Sequence, residues 1–288
     1  MSEPFAAERP AELLDNVRRL GISAALRGLC DAELDPLFWK PERRGVGSAW
    51  WGHVPFAHWV VEATSPRVLV ELGTYNGVSY TAFCNAVERC KTGTRCFAVD
   101  TWEGDPHAGG YGAGVYEGLS HFHEPRYGAF STLLRCTFDE ATVHFADHSI
   151  DLLHIDGYHT YEAVSHDFKT WLPKLSDRAV VLFHDTEVHR DDFGVWRLWR
   201  ELSRRYLSFE FHHSYGLGVL AVGDEAPEPV TELCRLGAPL AASVRNRVAL
   251  IGERWDVDLR EHDLTGLVEQ SRGEAEAQRV EADRLIAR

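Results

Sequence analysis

Several protein classes are excluded by what this chain lacks. Its six cysteines (Cys30, Cys84, Cys90, Cys96, Cys136 and Cys234) form no CxxC pair and no knuckle spacing. They read as small core residues rather than as a metal framework. No apolar run reaches the roughly 20 residues that span a bilayer. The opening Met1-Ser2-Glu3-Pro4 has neither the basic region nor the apolar stretch of a secretory signal. Basic residues are few, 30 against 44 acidic, for a net charge of −14. That balance disfavours nonspecific binding to nucleic acid or to an anionic membrane. There are no internal repeats. The expectation is a soluble protein of a reducing, cytoplasmic compartment, with neither nucleic acid nor membrane as partner.

What is present is a substantial core and a regular cadence. Hydrophobic residues make up 44% of the 288, with nine Trp and fourteen Phe, which argues against wholesale disorder. Apolar spacing predicts helices over residues 10–35 and 54–63. Between them, residues 40–52 are rich in Arg, Gly and Trp and read as a loop. Beyond Pro66, strands alternate with helices: strands over 68–72, 96–100, 142–146, 151–155 and 179–183, helices over 77–88, 125–136, 161–171 and 193–206. A closing pair of strands is expected over 209–213 and 217–222. Such alternation implies a mostly parallel sheet covered on both faces. The insert 104–118 is glycine-rich without periodicity, and its Trp, His and Tyr content suits a lid. Residues 224–229 (Asp224-Glu225-Ala226-Pro227-Glu228-Pro229) read as a linker, 230–252 as a helix, and 263–288 as a charged helix with a thin apolar stripe. Three regions follow: a helical cap (1–65), a central α/β domain (66–223) and a helical C-terminal extension (224–288).

The chemistry concentrates where strands end. Asp151-Leu152-Leu153-His154-Ile155-Asp156-Gly157-Tyr158-His159 takes a buried strand straight into Asp-Gly-x-His, and a second strand ends in Phe183-His184-Asp185-Thr186. Carboxyl ends of parallel strands surround the crevice in which open α/β sheets bind ligands. Asp156 and Asp185 are hard oxygen ligands that suit Mg²⁺, whereas His184 beside them favours a transition metal. His159, three residues after Asp156, is placed to act as a general base. Upstream, Glu71-Leu72-Gly73-Thr74-Tyr75-Asn76-Gly77-Val78-Ser79 turns from strand to helix. It is not GxGxxG, so a dinucleotide pyrophosphate is not its natural guest. Asp100 ends the next strand, where a carboxylate can accept both hydroxyls of a ribose. Asp147 and His148 stand after the expected third strand, where an adenine edge would lie.

Taken together, these motifs over 68–222 resemble the class I S-adenosylmethionine-dependent methyltransferases, in particular the branch found with antibiotic, sugar and glycan biosynthesis. Val99-Asp100-Thr101-Trp102 with Gly104-Asp105 and His107-Ala108-Gly109, and Phe193-Gly194-Val195 with Leu198-Trp199, continue the likeness. The resemblance implies a doubly wound, Rossmann-like α/β sheet of seven strands with the last antiparallel. It implies S-adenosylmethionine held on Glu71, Gly73, Thr74, Tyr75, Gly77, Ser79, Asp100, Thr101, Trp102, Asp147, His148 and Asp156. Metal ligands would be Asp156 and Asp185, with the usual third ligand falling on Thr186 and the usual catalytic lysine on His159. Catalysis would rest on His159, Asp156 and His184. The expected activity is O-methylation of a sugar or glycoside hydroxyl, with Mg²⁺ as an option. Two other readings stand beside it. One is an iron-dependent hydroxylase of the cephalosporin hydroxylase type, using His159, His184 and Asp185. The other is a cofactor-binding module that docks a glycosyltransferase through the C-terminal helix. A homo-oligomer through that helix is a further expectation.

Overall fold

Strand segments that are apolar on both faces can be buried only in the middle of a layered fold, and the computed structural model, which describes residues 35–286, places them there. In chain order the strands are β1 (Val68–Leu72), β2 (Arg95–Asp100), β3 (Gly104–Asp105), β4 (Gly109–Gly110), β5 (Ser131–Arg135), β6 (Ile150–Ile155), β7 (Leu175–His184), β8 (Leu207–Phe211) and β9 (Leu217–Ala221). The helices are α1 (Val54–Thr64), α2 (Val78–Cys90), α3 (Gly114–Tyr127), α4 (Phe138–Ala141), α5 (Tyr161–Trp171), α6 (Val195–Leu202), α7 (Glu228–Cys234) and α8 (Ala238–Ile286). The central sheet has seven strands in the order β5-β2-β1-β6-β7-β9-β8. Neighbours from β5 to β7 are parallel, and β9 runs antiparallel to both β7 and β8. This is the doubly wound α/β sheet expected from the sequence.

Alternate residues of each strand feed two cores. Leu69, Ala98, Leu152, Val180 and Leu182 face one side and join Trp50, Trp51, Phe56, Phe83 and Trp255. Val70, Val99, Leu153, Val181 and Phe183 face the other and join Trp171, Leu198 and Trp199. The segment around Trp39, Trp50 and Trp51 and the start of α8 therefore share one core with the sheet. At the N-terminal edge of the sheet, Asp151 accepts from the backbone N–H and guanidinium of Arg67 and from the Ser176 hydroxyl. It ties β1, β6 and β7 together at their starts.

Several expectations are corrected. The helix expected over 125–136 ends at Tyr127, and Ser131–Arg135 is instead the edge strand β5. The strand expected over 142–146 is the tail of a short helical segment, Phe138–His144, opened by a Thr137–Glu140 capping box. Its apolar residues matched a strand, yet the capping chemistry prevailed. The insert 104–118 is part hairpin, β3 with β4, and part the first turns of α3. The helix expected over 193–206 is shorter, Val195–Leu202. The helix expected over 230–252 is divided between α7 and the start of α8, and α8 runs on without a break into the stretch expected over 263–288. The helix expected over 10–35 lies outside the described residues except for Asp35, which caps the short turn Pro36–Phe38. Among the described residues no helix is long and apolar enough to cross a membrane.

Candidate active site

The crevice forms where β1, β2, β6 and β7 end, because the chain must leave the sheet there through four adjacent loops. A cavity of about 490 Å³ opens at this edge, within the usual range for small-molecule sites. Its floor is the β1–α2 turn. Gly73 takes φ +86°, and a Cβ at this position would stand 2.0 Å from the Asp156 carbonyl oxygen, so only glycine lets the two loops approach. Asp100, at the end of β2, accepts from the backbone N–H groups of Thr74 and Tyr75 at 2.9 Å each and of Trp102 at 2.7 Å. Its carboxylate thus shapes the turn while still lining the cavity. Thr74 lines the same cavity, and its buried hydroxyl has no hydrogen-bond partner among the described residues.

The opposite wall carries the ionisable groups. Register pairs Ile155 with Phe183, so Asp156 and His184 follow on adjacent strands at the same height. His184 lies with Nδ1 3.2 Å from Asp156 and donates from Nε2 to the Ser214 carbonyl at 3.1 Å. His159 Nε2 lies 2.9 Å from Asp185 and 3.7 Å from Asp156. Burial alone would lower both imidazoles, but the two carboxylates push His159 up to about 9 and hold His184 well above its ordinary value. Against burial, the His184 cation and its neighbours hold Asp156 well below, and Asp185 below, the usual carboxylate range. Asp185 itself has φ +63°, a left-handed conformation that a non-glycine residue adopts at a cost.

Of the residues expected on the cofactor, Gly73, Thr74, Tyr75, Ser79, Asp100, Thr101 and Asp156 line the cavity, together with His159, His184 and Asp185. The others do not. Glu71 is fully buried behind the turn, 2.8 Å from His154 Nδ1, because its position in β1 alternates with Leu72 onto the inner face. Gly77, with φ +76°, starts α2 against Leu119. Trp102 is buried and donates from its indole to the Tyr75 carbonyl, bracing the turn from outside. Asp147 and His148 are at the opposite edge of the sheet, just before β6, where Asp147 pairs with Lys174 at 2.7 Å. Their placement followed from the misassigned third strand. The true strand is β5, and the residues that follow it, Thr137 and Phe138, form that wall of the cavity. Thr186 is buried, its hydroxyl has no partner among the described residues, and it lies outside the cavity lining.

Residues 40–52, expected only as a loop, supply the arm that closes the remaining side. Gly47, Ser48, Ala49 and Trp50 line the cavity. The arm is held by Asn76, which donates to the Gly47 carbonyl at 3.0 Å, and by the buried Arg43, which donates to the carbonyls of Asn76 and Gly118. Across from it, Asp105, Ala108 and Tyr111 bring in the β3–β4 hairpin, with the Tyr111 ring 4.6 Å from that of Tyr75.

A metal would find the carboxylates of Asp156 and Asp185 with an imidazole nitrogen of His184, their ligand atoms all within 4.8 Å of one another. This mixed set fits a divalent ion, with the imidazole weighting it toward a transition metal over Mg²⁺.

Residues 70–186 match a family model described as a methyltransferase domain. Over 200 residues the chain is 50% identical to an uncharacterized protein, y4gI, of Sinorhizobium fredii, covering 69% of this chain and 21% of that protein, so the chain spans about a fifth of that relative's length. Solved structures similar to it include the O-methyltransferase TomG of Streptomyces achromogenes, involved in tomaymycin synthesis and bound to S-adenosylmethionine, with 13% identity, TM-score 0.46, 76% of this chain and 91% of that one covered. Another is an O-methyltransferase from Bacillus cereus, with 11% identity, TM-score 0.44, and coverage of 75% and 92%.

Proposed function

We propose that the methyltransferase domain carried by residues 70–186 moves a methyl group from S-adenosylmethionine to a hydroxyl of a sugar or glycosylated small molecule. The observation that carries this reading is one cavity with two unlike walls: a glycine turn with an unpartnered Thr74 hydroxyl on one side, and Asp156, His159 and Asp185 on the other. The cofactor would lie along the turn, with its ribose toward Asp100 and its adenine against Thr137 and Phe138. Tyr75, Tyr111 and Tyr158 line the cavity and offer apolar faces with polar tips, which suits the mixed surface of a sugar.

Methyl transfer needs an acceptor oxygen aligned with the sulfonium carbon and a group that takes its proton. His159 reaches the cavity and is the base in this reading. In the free site it is an imidazolium, because its pKa near 9 keeps the proton on at neutral pH. A bound sulfonium is a second positive charge and disfavours that proton, so cofactor binding itself would release the base. His184 donates to Ser214 and faces Asp156 with its other nitrogen. That geometry makes it a positioning group for Asp156 rather than the base. A divalent ion on Asp156, Asp185 and His184 would acidify and orient the acceptor hydroxyl. The same imidazole in the donor set favours a second reading, an iron-dependent oxygenase, which metal analysis of the purified protein would separate from the first.

Partnership through the C-terminal helix belongs to the same proposal. Leu250, Val257 and Leu264 of α8 are exposed at seven-residue spacing, as on a helix that meets another protein, a glycosyltransferase or a second copy. The test of the activity is calorimetric titration with S-adenosylmethionine, then a screen of sugars and glycosides with and without chelator. Micromolar binding and a methylated product are expected. Absence of cofactor binding would discard the reading.

A further inference from the structure

The β3–β4 hairpin does more than cover the cavity. It is tightly formed: Gly104 takes φ +86°, and a Cβ there would stand 1.9 Å from the Gly109 carbonyl oxygen. Asp105 accepts from the N–H groups of His107 and Ala108. The tip residue, His107, is absent from the cavity lining although its neighbours Asp105 and Ala108 belong to it. Its ring enters an aromatic slot, 4.3 Å from Phe193 at 9° and 4.7 Å from Tyr158. Phe193 also stacks on His159, at 4.9 Å and 7°. His107 Nδ1 lies 3.4 Å from His159 Nδ1, and His107 Nε2 lies 2.6 Å from Asp192.

We infer that His107 is a positioning residue for His159, accepting a hydrogen bond from His159 Nδ1–H and so aiming His159 Nε2 into the site when the hairpin is seated. The donor order follows from the ends. Asp192 and Asp185 are carboxylates that accept, so His107 and His159 each carry a proton on Nε2. A His107 ring that donates at Nε2 leaves its Nδ1 to accept, and His159 Nδ1 must donate. The chain runs Asp185, His159, His107, Asp192, from the cavity to a residue whose side chain is 63% exposed. Because the acceptor atom belongs to the hairpin, the Nδ1 edge of His159 is held by the seated hairpin, while Asp185 and Phe193 hold the rest of the ring.

The inference rests on the methyltransferase reading only in naming His159 as the base, and the experiment keeps the two apart. Protein labelled with ¹⁵N-histidine is examined by two-bond proton–nitrogen correlation, with signals assigned from single variants. Wild type is expected to show His159 protonated at Nδ1 and His107 protonated at Nε2 alone. His107→Phe keeps the stack and removes the acceptor, so the His159 Nδ1–H signal should shift and exchange faster. His107→Asn places an oxygen near the Nδ1 position and should restore it. With an acceptor from the sugar screen, kcat should fall about 10²-fold in His107→Phe, the scale of a misplaced catalytic group. It should recover in His107→Asn, with KM for S-adenosylmethionine unchanged. His159 signals that are identical in wild type and His107→Phe would overturn the inference. Should the Phe variant not fold, Asp192→Ala, at an exposed position, serves in its place. It frees His107 to change tautomer and should perturb the His159 signal, and an unchanged spectrum would again overturn the inference. Failure to bind S-adenosylmethionine would instead remove the methyltransferase reading and leave the spectra to decide on the imidazole pair.

Discussion

Asp151 and Asp156 sit at or just beyond opposite ends of one strand, β6, and their surroundings differ completely. Asp151 is capped by Arg67 and Ser176 from the neighbouring chain segments. Despite burial, those partners hold its carboxyl below the usual range. Arginine keeps its proton at every accessible pH, so this end of the sheet is a fixed clamp. Asp156 is also held low, but by imidazoles that titrate, and it faces a cavity rather than a neighbouring strand. The same residue type thus gives a structural pair at one edge and reactive groups at the other. The difference lies in whether the partner can give up its proton and whether the loops leave room for a ligand.

This comparison can be broken at either end. Asp156→Ala should have the largest effect, lowering turnover by about 10²-fold or more, because both imidazoles lose an anion at once. Retained activity, measured on an acceptor found by screening, would move the chemistry elsewhere. Asp151→Asn should do the reverse. Loss of a buried charged acceptor should cost about 1–3 kcal/mol of stability in urea unfolding, with kcat unchanged. The titrating end should also show in the pH dependence of stability. His159 has a folded pKa of about 9, above the roughly 6.5 of an unfolded histidine. Its contribution is complete below the lower value and is lost as pH rises through about 9. Melting temperature measured from pH 6 to pH 10 without metal should therefore fall across that window, and Asp185→Asn should move the fall to lower pH. The smallest effect is expected at the glycine turn of the cavity. Thr74→Val removes the unpartnered hydroxyl and should weaken S-adenosylmethionine about three- to tenfold by calorimetry, the worth of one hydrogen bond.

The strands β1, β2, β6 and β9 were legible because burial on both faces leaves a mostly apolar run, interrupted only by single polar residues such as Glu71 and His154, and such runs do not depend on their neighbours. Asp100, Asp156, His159 and Asp185 were legible because each stands where such a run stops. The edge strand β5 was not. Ser131 is buried while Thr132 and Arg135 are exposed, so the segment lacks the apolar continuity of the central strands. With it went that wall of the cavity: the residues after β5, Thr137 and Phe138, line it, whereas Asp147 and His148 do not.

By itself the sequence determined the layered α/β sheet and the height at which its acids emerge, since local apolar patterning decides what is buried and where a strand ends. Only the tertiary structure decided that Glu71 turns inward to His154, that the Gly47–Trp50 arm closes the cavity, and that His107 reaches across to His159. Those contacts join residues tens of positions apart, and side-chain direction at a strand end is set by register and packing, which no stretch of sequence carries alone.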